Sequence, residues 1–313
     1  MTQSTGTQAA GELFDLGYQH YDGPREGRMR ARKAVFFDGV RTILGVGHGP
    51  LAKVLPILLF AAAMTPAVIM AIIASMFDVI GDVLPGHADY YQVVSIVLII
   101  FAALVAPELL CPDRRNGVIS LYLVRPLTTT DYVVSRWLAF FSITLLLVYS
   151  GQAVLLASLI LSASEPLDYI KDNWLDIPRI LGAGLLVAIF ITTLPLAVSA
   201  VTDRRAIAAA IVIGLFIIST ASAGILTECD EGHNPDRSGQ CEPLTGDLAK
   251  WFGLVDMGRV STNVNNMIFG VEDEGRRSQL MSELPRIVPI GWYVLLTGGL
   301  ATALWWRYRK LSA

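Results

Sequence analysis

Six long stretches without a charged side chain or a histidine limit what this sequence can fold into. They cover residues 54–77, 90–107, 137–164, 180–202, 206–227 and 287–306, and no other charge-free stretch reaches 18 residues. A helix needs about 20 apolar residues to cross a hydrocarbon core of about 30 Å. The sequence therefore predicts six transmembrane helices, with spans at about 54–77, 90–110, 137–161, 180–202, 206–227 and 287–306.

The composition supports a membrane protein. Only 16% of the residues are charged, 53% are hydrophobic, and the mean hydropathy is +0.54, whereas a soluble domain carries about a quarter charged residues. One such stretch would also fit a buried core helix, but six of them favour membrane spans. The first begins too late and is too long for a cleaved signal sequence. The predicted fold class is an all-α polytopic membrane protein.

The distribution of Lys and Arg predicts the orientation of the spans. With the N-terminus inside, most of these residues fall on inner segments, whereas the outer segment 78–89 has none and 165–179 has only Lys171 and Arg179. Cytoplasmic loops carry the excess of Lys and Arg, and long loops such as 228–286 weigh little in this rule. Both termini are therefore expected in the cytoplasm.

Residues 1–50 are predicted to form a cytoplasmic segment that precedes the transmembrane domain at 51–313. Phe36, Val40, Ile43 and Leu44 share one face of a basic amphipathic helix. This pattern is typical of a helix that lies at the inner membrane surface, with its basic residues against anionic headgroups. We favour that interpretation; the alternative is a cytosolic helix that packs on the protein itself.

The long outer loop at 228–286 is predicted to have a function or a structure of its own. Its apolar middle favours short helices on or in the outer leaflet. Cys229 and Cys241 bracket a short polar segment, and a disulfide there would contribute about 3 kcal/mol in an oxidising exterior. A metal site with His233 is disfavoured because the spacing matches no standard zinc pattern. Cys111 is expected to be a lone reduced thiol.

The six charge-free stretches contain no Asp, Glu, Lys, Arg or His, the ionisable groups that intramembrane chemistry requires. Their absence argues against an intramembrane metalloprotease, a haem-carrying subunit and a proton-relay transporter, although a sodium site built from backbone and hydroxyl oxygens stays open. No Lys follows a Gly, so the chain has no Walker A phosphate loop. We therefore expect the driving energy to come from another polypeptide.

The inner segment at 111–136, between the second and third spans, is the candidate for receiving that energy. A polar turn is predicted at 112–117, followed by a short apolar helix at 118–124 and the break Arg125-Pro126. Thr128 and Asp131 then form the capping signature of the next helix. A short apolar helix in the cytosol must pack against something, either a partner or the underside of this protein's own bundle.

The segment resembles the coupling loop in the permease subunits of type 2 ABC exporters. The family pattern is matched by Asp113, Gly117, Tyr122, Arg125-Pro126, Tyr132 and Arg136. The motif covers some thirty residues. The resemblance in architecture covers nearly the whole chain, because it includes six spans, a basic N-terminal helix and a structured outer segment between the last two spans.

This resemblance implies a multi-pass exporter subunit in the bacterial cytoplasmic membrane. A second permease copy or a homologue, two cytosolic ABC ATPase subunits and membrane lipids are the implied partners, and no nucleic acid is expected. The chain itself is expected to be non-catalytic and to bind no cofactor or metal, with ATP and Mg²⁺ in the partner ATPase. The residues implied to form or position the ATPase contact are Glu108, Asp113, Arg114, Arg115, Gly117, Leu121, Tyr122, Arg125 and Pro126.

Two other functions stay open at this point. An ion-coupled secondary transporter would work without ATP and often shows inverted repeats, which are not evident in the sequence. A non-transport scaffold or sensor would bind a partner through the outer loop. The substrate of an exporter is not identified by the sequence, because the spans offer only apolar and hydroxyl side chains.

Overall fold

The computed structural model of the chain describes residues 27–47, 49–76, 86–119, 122, 127–163, 165–227, 247–271, 280–281 and 283–311. Most of these residues form α-helices, and no β-strand occurs among them. The helices are α1 (Gly27–Ile43), α2 (Pro50–Met76), α3 (His87–Arg115), α4 (Thr129–Ser162), α5 (Pro166–Asp172), α6 (Asp176–Ser199), α7 (Arg205–Thr227), α8 (Asp247–Leu254), α9 (Val260–Phe269) and α10 (Ile287–Leu311).

Six of these helices, α2, α3, α4, α6, α7 and α10, are long and apolar enough to cross a membrane. The prediction of an all-α fold with six membrane-spanning helices is therefore confirmed. Helices α3 and α6 form the centre of the bundle, since 61% and 72% of their most apolar stretches are buried, against 22% to 33% in the other four. The other four helices surround this centre and therefore present most of the apolar surface that lipid would cover.

The spanning helices extend beyond the charge-free stretches of sequence. Helix α4 has 34 residues, which at 1.5 Å per residue is about 51 Å, longer than a hydrocarbon core of about 30 Å. Helix α3 continues through Pro112 to Arg115, so the turn expected at 112–117 begins only at Asn116. The side chains of Asp113 and Arg114 bind neighbouring elements, and these contacts hold the last turn in helical form.

Some polar contacts between spans pair a tyrosine hydroxyl with a backbone oxygen of α6. Tyr91 of α3 donates to the carbonyl of Ile180 at 2.7 Å, and Tyr293 of α10 donates to the carbonyl of Leu186 at 2.7 Å. A buried tyrosine hydroxyl needs such a partner. Both contacts end on α6, in agreement with its central position.

Helix α1 packs parallel to α4 and also contacts α3. Its buried residues are Val35, Gly39 and Ile43, so the buried face is turned by about one residue from the predicted apolar face, and Leu44 is 41% exposed. The reason is a close approach at Gly39, where a Cβ atom would lie 2.8 Å from that of Ala139. Helix α1 thus packs on the protein itself, while a position at the membrane surface stays a prediction.

The apolar middle of the long loop at 228–286 forms α8 and α9. Helix α9 packs on α3, α6 and α10, and the ring of its Phe269 lies beside His87 and Tyr91 of α3, at centroid distances of 6.4 and 6.1 Å. Cys229, His233 and Cys241 lie outside the described residues. Cys111 is a buried free thiol, as expected.

Candidate functional site

Most of the ion pairs of the described residues gather at one end of the bundle, which we call the charged end. It consists of α1, residues 108–119 and 122, residues 127–136, the α6–α7 turn at 200–205, and residues 305–310. These segments are distant in sequence and meet because α3, α4, α6 and α10 pack side by side. All residues of the predicted coupling segment that the structure describes lie here.

Arg136 occupies the centre of the charged end. Its side chain is only 3% exposed, its Nη2 lies 2.8 Å from Oδ2 of Asp113, and its Nη1 lies 2.9 Å from Oδ2 of Asp38. The hydroxyl of Tyr132 donates to the same Asp113 oxygen at 2.6 Å. A buried guanidinium must be paired to offset its desolvation. This network therefore joins α1, α3 and α4 through one charge.

A second group of contacts joins the end of α3 to the α6–α7 turn. Arg114 is 8% exposed at its side chain and pairs with Asp203, whose Oδ1 lies 2.9 Å from Nη2. Its Nη1 also donates to the carbonyl of Ala200. Nearly two turns earlier on α3, Glu108 forms an ion pair with Arg205. The last two turns of α3 are thus bound to the connection between α6 and α7.

The start of α4 has the predicted capping box. The amide of Asp131 donates to Oγ1 of Thr128 at 3.3 Å, and the amide of Thr128 donates to Oδ2 of Asp131 at 3.0 Å. The capping prediction is confirmed. Asp131 also pairs with Arg28 at 2.6 Å and with Arg32 at 2.5 Å. One carboxylate therefore both caps α4 and binds α1.

The turn after α3 is a Schellman motif that ends on Gly117. The amide of Val118 donates to the carbonyl of Asp113 at 3.0 Å, and the amide of Gly117 donates to that of Arg114 at 3.2 Å. Gly117 has a φ of +66°, in the left-handed region that favours glycine. The sequence predicted a turn here but not its geometry.

Beyond the turn, Ile119 and Tyr122 are helical, and the amide of Tyr122 donates to the carbonyl of Val118 at 3.3 Å. The ring of Tyr122 lies 5.7 Å from that of Tyr132, which lies 5.6 Å from that of Tyr308 on α10. Burial, followed by the nearby charge of Asp113, raises the pKa of Tyr122. Its phenol therefore stays neutral, and its ring connects the segment at 118–124 to Tyr132 and, through it, to Tyr308.

The structure divides the predicted contact residues into two groups. Asp113 and Arg114 point into the protein, and the half-exposed Glu108 pairs with Arg205. Arg115 and Gly117 are exposed, and Tyr122 is half-buried. Leu121, Arg125 and Pro126 lie outside the described residues.

Six side chains in these networks were not among the predicted site residues: Arg28, Arg32, Asp38, Asp203, Arg205 and Tyr308. They lie far from the coupling segment in the chain, and no local spacing in the sequence connects them to it.

A comparison with known protein families matches residues 4–302 to the family described as ABC-2 family transporter protein. A search of the curated proteins finds no match to this chain. Permeases of the ABC-2 family are generally non-catalytic membrane subunits that partner with an ABC ATPase and often dimerise. The family match spans nearly the whole chain and agrees with its six apolar helices. The chain therefore belongs to the ABC-2 family, and it is a multi-pass membrane permease of an ABC transporter.

Proposed function

We propose that the chain is the permease subunit of an ABC exporter in a bacterial cytoplasmic membrane, with both termini in the cytoplasm. It would move its substrate with ATP hydrolysed by separate ATPase subunits, and it would act beside a second permease, either a copy of itself or a homologue. The chain itself performs no catalysis, and ATP and Mg²⁺ belong to the ATPase. The observation that carries this proposal is the buried network at both ends of the α3–α4 connection.

The connection at 116–128 leaves α3 directly after Asp113 and Arg114, and it enters α4 at Thr128. Asp113 binds Tyr132 and Arg136, which lie in the first two turns of α4. The two ends of the connection are therefore bonded to each other through a single carboxylate. A displacement of the connection consequently moves α3 and α4 together.

The same displacement extends to other helices through charged pairs. Arg114 and Glu108 bind the α6–α7 turn, while Arg136 binds Asp38 of α1. Helices that are packed together and have few alternative arrangements can pass a displacement from one to the next. Closure of an ATPase dimer against the α3–α4 connection would thus move the helices of the charged end as a group.

Two kinds of role follow for the predicted contact residues. Arg115, Gly117, Leu121, Tyr122, Arg125 and Pro126 are assigned to the surface that the ATPase contacts. Asp113, Arg114 and Glu108 are assigned a positioning role, since their side chains bind within the permease. None of these residues has a catalytic role.

A charge reversal at Arg115 tests the assignment. The control is Arg204→Glu, which reverses an exposed arginine at the same end of the bundle but on the α6–α7 turn. Each variant is purified in mild detergent from its native membrane, and the ATPase retained with it is quantified by mass spectrometry and by ATP hydrolysis. We expect Arg115→Glu to retain about tenfold less ATPase, equivalent to a loss of about 1.4 kcal/mol, and the control to retain the wild-type amount.

Two results would contradict the proposal. The first is that no ATPase co-purifies with the wild-type permease, which would also remove the exporter function. The second is equal retention by the Arg115→Glu and Arg204→Glu variants, which would reject the contact surface alone.

A further inference from the structure

A cleft of about 430 Å³ lies between α1 and the start of α4. Helix α1 contributes Arg32, Lys33 and Phe36 to its walls, and α4 contributes Asp131, Val134 and Leu138. Lys33 is exposed, and Val134 and Leu138 are 46% and 41% exposed, so the cleft opens to the outside of the bundle. The Arg32–Asp131 ion pair lies in its wall, whereas Glu108, Asp113 and Arg114 do not line it.

The cleft is polar at one end and apolar at the other. The contacts between the two helices advance in the same direction, from Arg28 with Asp131 to Asp38 with Arg136. Arg32, Lys33 and Asp131 therefore form the end nearer the aqueous side. Phe36, Val134 and Leu138 lie about one to two turns further along, toward the apolar part of α4. This order matches a lipid, whose headgroup faces water and whose acyl chains face the bilayer interior.

The polar end carries a surplus of positive charge. Asp131 supplies one negative charge, while Arg32 and Lys33 in the cleft and Arg28 beside it supply three positive charges, which leaves a local net charge of +2. Lys33 forms no ion pair with any residue that the structure describes. Lys and Arg beside a membrane attract anionic headgroups. The charge balance thus favours an anionic lipid over a zwitterionic one.

We propose that this cleft binds one anionic phospholipid of the adjacent leaflet. The phosphate is held at Lys33 and Arg32, and an acyl chain follows Phe36, Val134 and Leu138. The cleft accommodates the headgroup region and the first part of a chain, while the rest of the lipid stays in the bilayer. A lipid in this position bridges α1 and α4. The inference rests on the membrane location of α4 and is independent of any ATPase contact.

The test measures lipid binding to the purified full-length chain in detergent by native mass spectrometry. Phosphatidylglycerol and phosphatidylcholine with identical acyl chains are titrated separately. We expect the wild-type protein to bind phosphatidylglycerol more tightly than phosphatidylcholine. Lys33→Ala should bind phosphatidylglycerol with about fivefold lower affinity, which corresponds to the contribution of one basic side chain near an anionic lipid. The matched control is Arg41→Ala, an exposed arginine of α1 outside the cleft lining, which should bind like wild type.

A second variant tests the apolar end. Val134→Trp fills this part of the cleft and leaves the basic residues in place, so it should weaken phosphatidylglycerol binding without changing the net charge. Lys33 and Val134 are both exposed. The helix content of the two variants, measured by circular dichroism, should therefore match that of the wild-type protein.

The inference is overturned by equal affinity for the two lipids, or by equal binding to the Lys33→Ala and Arg41→Ala variants. Displacement of phosphatidylglycerol by an equal concentration of inorganic phosphate would also overturn it, because that result assigns the cleft to free phosphate. Each of these outcomes is independent of whether an ATPase co-purifies.

Discussion

Nη2 of Arg136 lies 2.8 Å from Oδ2 of Asp113, so a buried ion pair joins the start of α4 to the end of α3. The guanidinium is 3% exposed and the carboxylate 15%. Among the residues that the structure describes, the exposed Asp38 provides the guanidinium with its one other carboxylate. A buried charge that loses its partner is strongly destabilising, even where the intact pair contributes little. Loss of either partner is therefore expected to destabilise the charged end.

Asp113→Asn removes the buried partner of Arg136 while keeping a side chain of similar size. We expect it to lower the free energy of unfolding by about 3 kcal/mol, because the guanidinium keeps its charge in a site with little water. Unfolding of the purified protein in detergent provides the measurement. Asp168→Asn is the control, since Asp168 pairs with Lys171 at an exposed position, where ion pairs contribute little.

A double variant separates the ion pair from the packing around it. Asp113→Asn combined with Arg136→Met removes the buried charge, so it should be more stable than Asp113→Asn alone. A double variant that is less stable than either single variant would show that side-chain packing, rather than charge pairing, holds the two helices at this point.

Gly117→Ala tests the turn that leads from α3 into the coupling segment. A left-handed conformation costs a non-glycine residue about 1–2 kcal/mol, and Gly117 has a φ of +66°. We expect faster hydrogen exchange at residues 113–118. Gly298→Ala, at a helical position with no atom within 4 Å of the added Cβ, should leave exchange there unchanged. Wild-type exchange in the Gly117→Ala variant would mean that the turn adopts another conformation.

Gly39→Ala tests the contact that orients α1. Its new Cβ would lie 2.8 Å from that of Ala139, and overpacking of this kind costs about 1–3 kcal/mol. Tryptic cleavage within the arginine-rich α1 should become faster. Adding Ala139→Gly should restore the wild-type rate, and Gly49→Ala, which has open space around it, should not alter it. Unchanged cleavage in Gly39→Ala would contradict the close approach.

Thr128→Ala tests the capping box of α4. Loss of a capping hydroxyl costs about 1 kcal/mol, and here the hydroxyl accepts from the amide of Asp131. Hydrogen exchange at residues 129–132 should become faster in Thr128→Ala and stay near the wild-type rate in Thr128→Ser. Equal exchange in Ala and Ser variants would show that the arginines bound to Asp131 hold this turn without the cap.

The sequence by itself determined the features that depend on neighbouring residues. Six charge-free stretches specified six membrane-spanning helices, because each is long enough to cross the bilayer without placing a charge in it. The spacing of Thr128 and Asp131 specified a helix start, because the capping bonds connect residues three apart.

Only the tertiary structure decided which charged groups meet. Asp38, Asp113 and Arg136 belong to three helices, and their pairing depends on how α1, α3 and α4 pack. The extension of α3 through Pro112 and the buried face of α1 have the same origin, since contacts with neighbouring helices overrode the local pattern. Local spacing specifies helices, whereas the environment of a side chain depends on residues that are distant in the sequence and close in the fold.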